Sequence, residues 1–112
     1  MKRSEVWRVD LPKLPGHVQA GIRPAVVVQD NQVGGSLPTT LLVPFTSRLT
    51  TTRFAGTLVV KPDGVNGLTV PSVALAFRLR AVDRNNFIQP MGVLDARTLD
   101  QILDLIERLS GR

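Results

Sequence analysis

Pro24 is followed by Ala25, Val26, Val27 and Val28, four apolar residues in a row, three of them β-branched. Branching at Cβ favours the pleated backbone, and a run without alternation has no polar side to turn to water. Residues 24 to 29 are therefore expected to form a central strand covered on both faces. A chain of 112 residues has material for one domain, taken here as residues 1 to 112, so the cover must come from its own remaining elements.

Most of those elements read as further strands. Residues 5 to 11 alternate, with Trp7, Val9 and Leu11 on one face and Arg8 and Asp10 on the other. Residues 39 to 46 form a third strand, and Pro44 within it cannot donate a ladder hydrogen bond, which points to an edge or a bulge. A short strand is expected over 57 to 61 and a turn over 62 to 67. The stretch from Ser72 to Val82 alternates as one strand, with Val73, Leu75, Phe77 and Leu79 on one side and Ala74, Ala76, Arg78 and Arg80 on the other. On such a strand Arg78 and Arg80 share a face about 6.6 Å apart. Residues 87 to 94 close the sheet.

One segment alone switches to the helical period. Leu99, Ile102, Leu103, Ile106 and Leu109 make an apolar stripe, Asp95 suits the N-cap, Asp104 and Arg108 pair at i, i+4, and Gly111 follows as a stop. This helix is expected to lie as a lid on the sheet. The fold class is thus mainly β with a C-terminal helix, a compact twisted antiparallel sheet or small barrel. Two polar connections stand out. Residues 12 to 22 carry two prolines and two glycines, and residues 47 to 56 carry Arg48, Arg53 and four hydroxyl side chains. Both read as surface loops, and long loops in small domains are usually functional.

Several chemistries are excluded by the residues themselves. There is no cysteine and one histidine, and the nine carboxylates show no metal-ligand spacing, so no metal or cofactor is expected. No G-x-S-x-G elbow supports a serine triad around His17, and Gly34-Gly35 lacks the Gly-Lys-Ser/Thr of a phosphate loop. The N-terminus has no apolar run long enough for a signal peptide or a membrane span, so a cytoplasmic protein is expected. Eleven of the fourteen basic residues are arginine, whose planar fork grips phosphate, and 11 basic against 5 acidic side chains fall within residues 1 to 90. A polyanionic partner follows. What remains is a site of arginine, histidine and hydroxyl groups, which suits RNA cleavage by the substrate's own 2′-hydroxyl, since the protein need only move protons and stabilise charge.

The series G16-H-V-Q-A-G-I-R-P24, A25-V-V-V and V43-P-F-T-S47, preceded by W7-R-V-D-L and followed by R80-A-V-D83, resembles the MazF/PemK toxins of type II toxin–antitoxin systems, the Kid-like branch included. The resemblance runs from Glu5 to the last helix. It implies an SH3-like barrel of the CcdB/PemK kind and a homodimer acting as an mRNA interferase. Such a nuclease would cleave single-stranded RNA without a metal and be held by an acidic antitoxin. It places the catalytic arginine at Arg23 and the catalytic threonine at Thr46, with His17 matching a histidine of the first loop. Gln19, Ser47, Arg48, Arg53, Phe54, Arg78 and Arg80 become the expected RNA contacts. Two positions depart from the family pattern: Val18 stands where glutamate is usual, and Phe77-Arg78 where Glu-Gln or an aspartate is common. The alternatives are a CcdB-like gyrase poison and a basic RNA-binding module without catalysis, both on the same fold.

Overall fold

The computed structural model describes residues 1–13, 20–33 and 35–111. Seven strands and one α-helix follow in the order β1 (Glu5–Leu11), β2 (Gly21–Val27), β3 (Thr39–Thr46), β4 (Thr57–Val60), β5 (Ser72–Leu75), β6 (Arg80–Asp83), β7 (Phe87–Val93) and α1 (Ala96–Leu109). The sheet order is β4-β5-β3-β2-β1-β7, with β6 also paired to β3, and every pairing is antiparallel.

β2 is central, as the apolar run requires. Its alternate residues, with Val28 just past its end, serve two cores: Val26 and Val28 pack with Val6, Val43, Phe45, Leu99 and Ile102, whereas Ala25 and Val27 pack with Val9, Leu11, Leu42 and Val82. α1 covers the first of these cores, and Trp7 stacks edge-on against Phe87 at 5.8 Å over the second. Asp95 caps α1 through its carboxylate, which accepts from the Thr98 N–H (3.1 Å) and hydroxyl (2.6 Å). Those bonds hold the carboxyl below its usual range. The Asp104–Arg108 pair forms at 3.9 Å. The helix turns slightly from the expected stripe: Leu105 packs on the core, while Leu109 is 47% exposed.

Three local expectations are corrected. The connection expected over 12 to 22 ends sooner, because Gly21 and Ile22 already pair with Leu11 and Asp10 in β2. β3 is no edge strand, since it pairs with β2 on one side and with β5 and β6 on the other. The single strand expected over 72 to 82 is broken, because Ala76–Arg78 winds into a 3-10 turn closed by the Leu79 N–H on the Ala76 carbonyl (3.1 Å). Phe45 pairs with Ala74 and Leu42 with Arg80, so the register along β3 slips by three residues across that turn. Pro44 faces the interruption, where a missing N–H leaves no ladder bond unmade. Arg78 accordingly lies in the turn and Arg80 opens β6, and the two do not share one strand face.

Candidate functional site

The register of β2 against β3 brings the two residues singled out for catalysis together. Ala25 pairs with Pro44, Val26 with Val43 and Val27 with Leu42. The ladder ends at Ala25–Pro44; its register extended by two residues sets Arg23 opposite Thr46, and both residues line one cleft. Here β3 ends, and a cleft of about 230 Å³ opens, with Arg8, Arg23, Thr46, Ser47, Ser72 and Met91 among its lining residues.

Each of these groups is held by identifiable bonds. Arg23 is half-buried and its Nε donates to the Ala20 carbonyl at 3.1 Å, which fixes one edge of the guanidinium. The two terminal nitrogens make no hydrogen bond to the described residues and stay available to a ligand. Thr46 is 4% exposed; its Oγ1 accepts from the Arg48 N–H at 3.2 Å, so its own proton is left to donate. Ser72, buried to the same degree, donates its hydroxyl to the Val70 carbonyl at 3.0 Å and shapes the opposite wall.

That wall is rigid for a local reason. Asp63 Oδ1 accepts from the Val65 and Asn66 N–H groups, both at 2.8 Å, and buried Asn66 donates to the Lys61 carbonyl (2.9 Å) and accepts from the Leu68 N–H (3.0 Å). Gly67 follows at φ +78°, where a Cβ would sit 2.3 Å from the Met91 carbonyl oxygen. Only glycine permits this approach, which seats Leu68 and Met91 beside the cleft.

Among the described residues no carboxylate lines the cleft. Two other depressions differ in charge: one of about 310 Å³ includes Asp30 with Lys2 and Arg84, and a shallow one of about 700 Å³ on α1 is lined by Asp100, Asp104 and Glu107 together with Arg97. A polyanion fits the smaller cleft and is repelled by the larger surface on the helix. Among the described residues no three His, Cys, Asp or Glu side chains cluster as metal ligands.

The remaining expected contacts divide. Ser47 lines the cleft, and Arg48 is exposed next to it. Arg53, Phe54 and Arg78 form a separate group with Phe77: the Arg53 guanidinium lies 4.8 Å over the Phe54 ring, Phe54 and Phe77 meet at 5.9 Å, and Arg78 lies 5.1 Å over Phe77. Arg80 is turned elsewhere, with Nη2 donating to the Pro12 carbonyl at 2.9 Å, and burial holds its guanidinium below the usual arginine range. His17 and Gln19 lie outside the described residues. Sequence reasoning missed Arg8, Ser72 and Met91. Arg8 was legible as a charged residue on the polar side of the first strand, but nothing in the sequence says which strand ends border the cleft.

The comparisons agree with this architecture. A family model described as "PemK-like, MazF-like toxin of type II toxin-antitoxin system" matches residues 2–109. The chain is 24% identical over 107 residues to the endoribonuclease MazF of Staphylococcus saprophyticus, covering 96% of this chain and 88% of that one. Its fold is similar to the crystal structure of MazF from Deinococcus radiodurans, with a TM-score of 0.84 at 23% identity over 100% of this chain and 97% of that one. It is also similar to an endoribonuclease in complex with its cognate antitoxin from a mycobacterial species, with a TM-score of 0.77 at 18% identity, covering 99% and 95%.

Proposed function

The chain belongs to the PemK-like, MazF-like toxin family of type II toxin–antitoxin systems, and from that membership we propose that it is an endoribonuclease whose reaction takes place in the cleft between Arg23 and Thr46. One observation carries the assignment of the site: a guanidinium whose terminal donors make no bond to the described residues and a buried hydroxyl with a proton to give line one cleft, which no carboxylate of the described residues enters.

The chemistry such a site can perform follows from its groups. Single-stranded RNA is the substrate, because a flexible chain can align its 2′-hydroxyl with the neighbouring phosphorus. The 2′-oxygen forms a bond to phosphorus as the bond to the 5′-oxygen breaks, and the phosphorane between them carries extra negative charge. The Arg23 terminal nitrogens offer two donors to its oxygens, and Thr46 offers a third. The 2′-hydroxyl proton leaves to a base and the departing 5′-oxygen takes one up; His17 is the residue proposed for this transfer, since an ordinary imidazole titrates near neutral pH. The products end in a 2′,3′-cyclic phosphate and a 5′-hydroxyl, and no metal takes part. Ser47 and Arg48 at the cleft, Gln19 in the first loop, and Arg53, Phe54, Arg78 and Arg80 further out are proposed to bind the flanking RNA.

The protein works in the cytoplasm as a homodimer, and an acidic cognate antitoxin holds it inactive. A solved neighbour of the same fold is an endoribonuclease bound to its antitoxin, and no described helix of this chain is long and apolar enough to cross a membrane. The test is a cleavage assay on one sequence in three forms. Single-stranded RNA should be cut, while the same sequence as an RNA duplex or as DNA should not. Cutting of all three forms, or of none, overturns the reading.

A further inference from the structure

We propose that Arg8 is a second phosphate-binding residue of the cleft, which grips the phosphate adjoining the scissile one and positions the RNA without entering the chemistry; this rests on the nuclease reading above. Arg8 lies in β1 opposite Pro24, the residue after Arg23, and it lines the same cleft. It is exposed, and no hydrogen bond or ion pair ties it to the described residues. Arg80, by contrast, donates through Nη2 to the Pro12 carbonyl.

Alternation along the strands separates the two guanidiniums. Arg8 shares a side of the β1–β2 pair with Asp10, Ile22 and Pro24, whereas Arg23 shares the other side with Val9, where the β2–β3 register extended by two residues also sets Thr46. The cleft opens where β3 ends, so residues of both sides reach it. A chain passing over this edge meets Arg23 and the Thr46 hydroxyl from one side and Arg8 from the other. Arg8 is thus placed for a phosphate next to the one that Arg23 and Thr46 hold. Arg8 and Arg23 line the cleft with no carboxylate of the described residues; Asp10 shares the Arg8 face of β1 but does not line the cleft.

The experiment uses an oligoribonucleotide containing a mapped cleavage site, with the 2′-hydroxyl at the cut nucleotide removed so that binding is read without turnover. Arg8→Gln should weaken binding about tenfold at moderate salt. It should also flatten the slope of log K against log salt by about 0.7, the share of one phosphate on a single strand. Arg8→Lys should restore most of the slope, since the charge remains. A single neutral methylphosphonate, moved through the linkages flanking the cut, should weaken wild-type binding at one of them and have no further effect there on Arg8→Gln. On the cleavable RNA, kcat should be unchanged and KM raised. Unchanged affinity and slope in Arg8→Gln, additive losses at every linkage, or a lowered kcat would each overturn the proposal. Cleavage by wild-type protein, abolished in Arg23→Ala, keeps the nuclease reading intact whichever way Arg8 falls.

Discussion

Two arginine-bearing regions of this molecule look alike in sequence and differ in construction. At the cleft, Arg23 is half-buried and pinned through Nε to a backbone carbonyl, beside a buried hydroxyl and against a wall locked by the Asp63–Asn66–Gly67 bonds. In the second region, Arg53 and Arg78 lie on the faces of Phe54 and Phe77, on a 3-10 turn and the segment after another, and Phe54 is 47% exposed. A ring face attracts a cation without fixing hydrogen-bond directions, and a base can stack in the same way. The pinned arginine suits charge stabilisation, where fixed donors avoid reorganisation during reaction. The stacked pair suits binding of a chain whose sequence and path vary.

The contrast breaks most readily at Arg23. Arg23→Ala should lower kcat roughly 100- to 1000-fold, as loss of one donor to a developing charge does elsewhere, with the fold unchanged by circular dichroism. Wild-type turnover would move the reaction away from this cleft. Next comes the wall. Gly67→Ala sets a Cβ against the Met91 backbone at a positive φ, and chemical denaturation should register a loss on the order of 2–4 kcal/mol. Phe54→Ala, in the looser region, should cost less than about 1 kcal/mol. Equal losses would erase the distinction between a rigid site and an adaptable patch.

A smaller effect is expected at Thr46. Thr46→Val keeps the shape and removes one neutral donor together with the acceptor of the Arg48 N–H, so kcat should fall about tenfold with KM little changed. A fall as large as that of Arg23→Ala would make the hydroxyl a proton carrier instead of a helper. Smallest is Arg78→Gln, for which kcat should hold. Affinity for a non-cleavable RNA should drop a few-fold, and the salt slope should flatten by up to about 0.7. A shifted cleavage motif with an unchanged slope would mean that Arg78 reads a base.

How much of this was legible in the sequence varies with the cause. Strands set by long alternation or by the Ala25–Val28 run were visible, because burial on one or both faces dictates the pattern. The helix and its Asp95 cap were visible for the same reason. The break at Ala76–Arg78 was not, since Val73 to Arg80 continues the alternation through it; only the three-residue slip of register against β3 reveals the turn. That slip is why Arg78 and Arg80 part company, with Arg80 tied to Pro12 and Arg78 laid over Phe77. Arg23 and Thr46 were found through the family motif, whereas Arg8 and Ser72 enter the cleft through tertiary arrangement and carry no local signature.

The central claim is that the substrate's own 2′-hydroxyl is the nucleophile, at a site of arginine and hydroxyl groups. Its most direct test is the end-group chemistry of products formed from one single-stranded RNA in EDTA. The account predicts undiminished cleavage, a 2′,3′-cyclic phosphate on one fragment, a 5′-hydroxyl on the other, and no product from RNA lacking the 2′-hydroxyl at the cut. Loss of cleavage in EDTA, recovered with Mg²⁺ and leaving a 5′-phosphate, would contradict it.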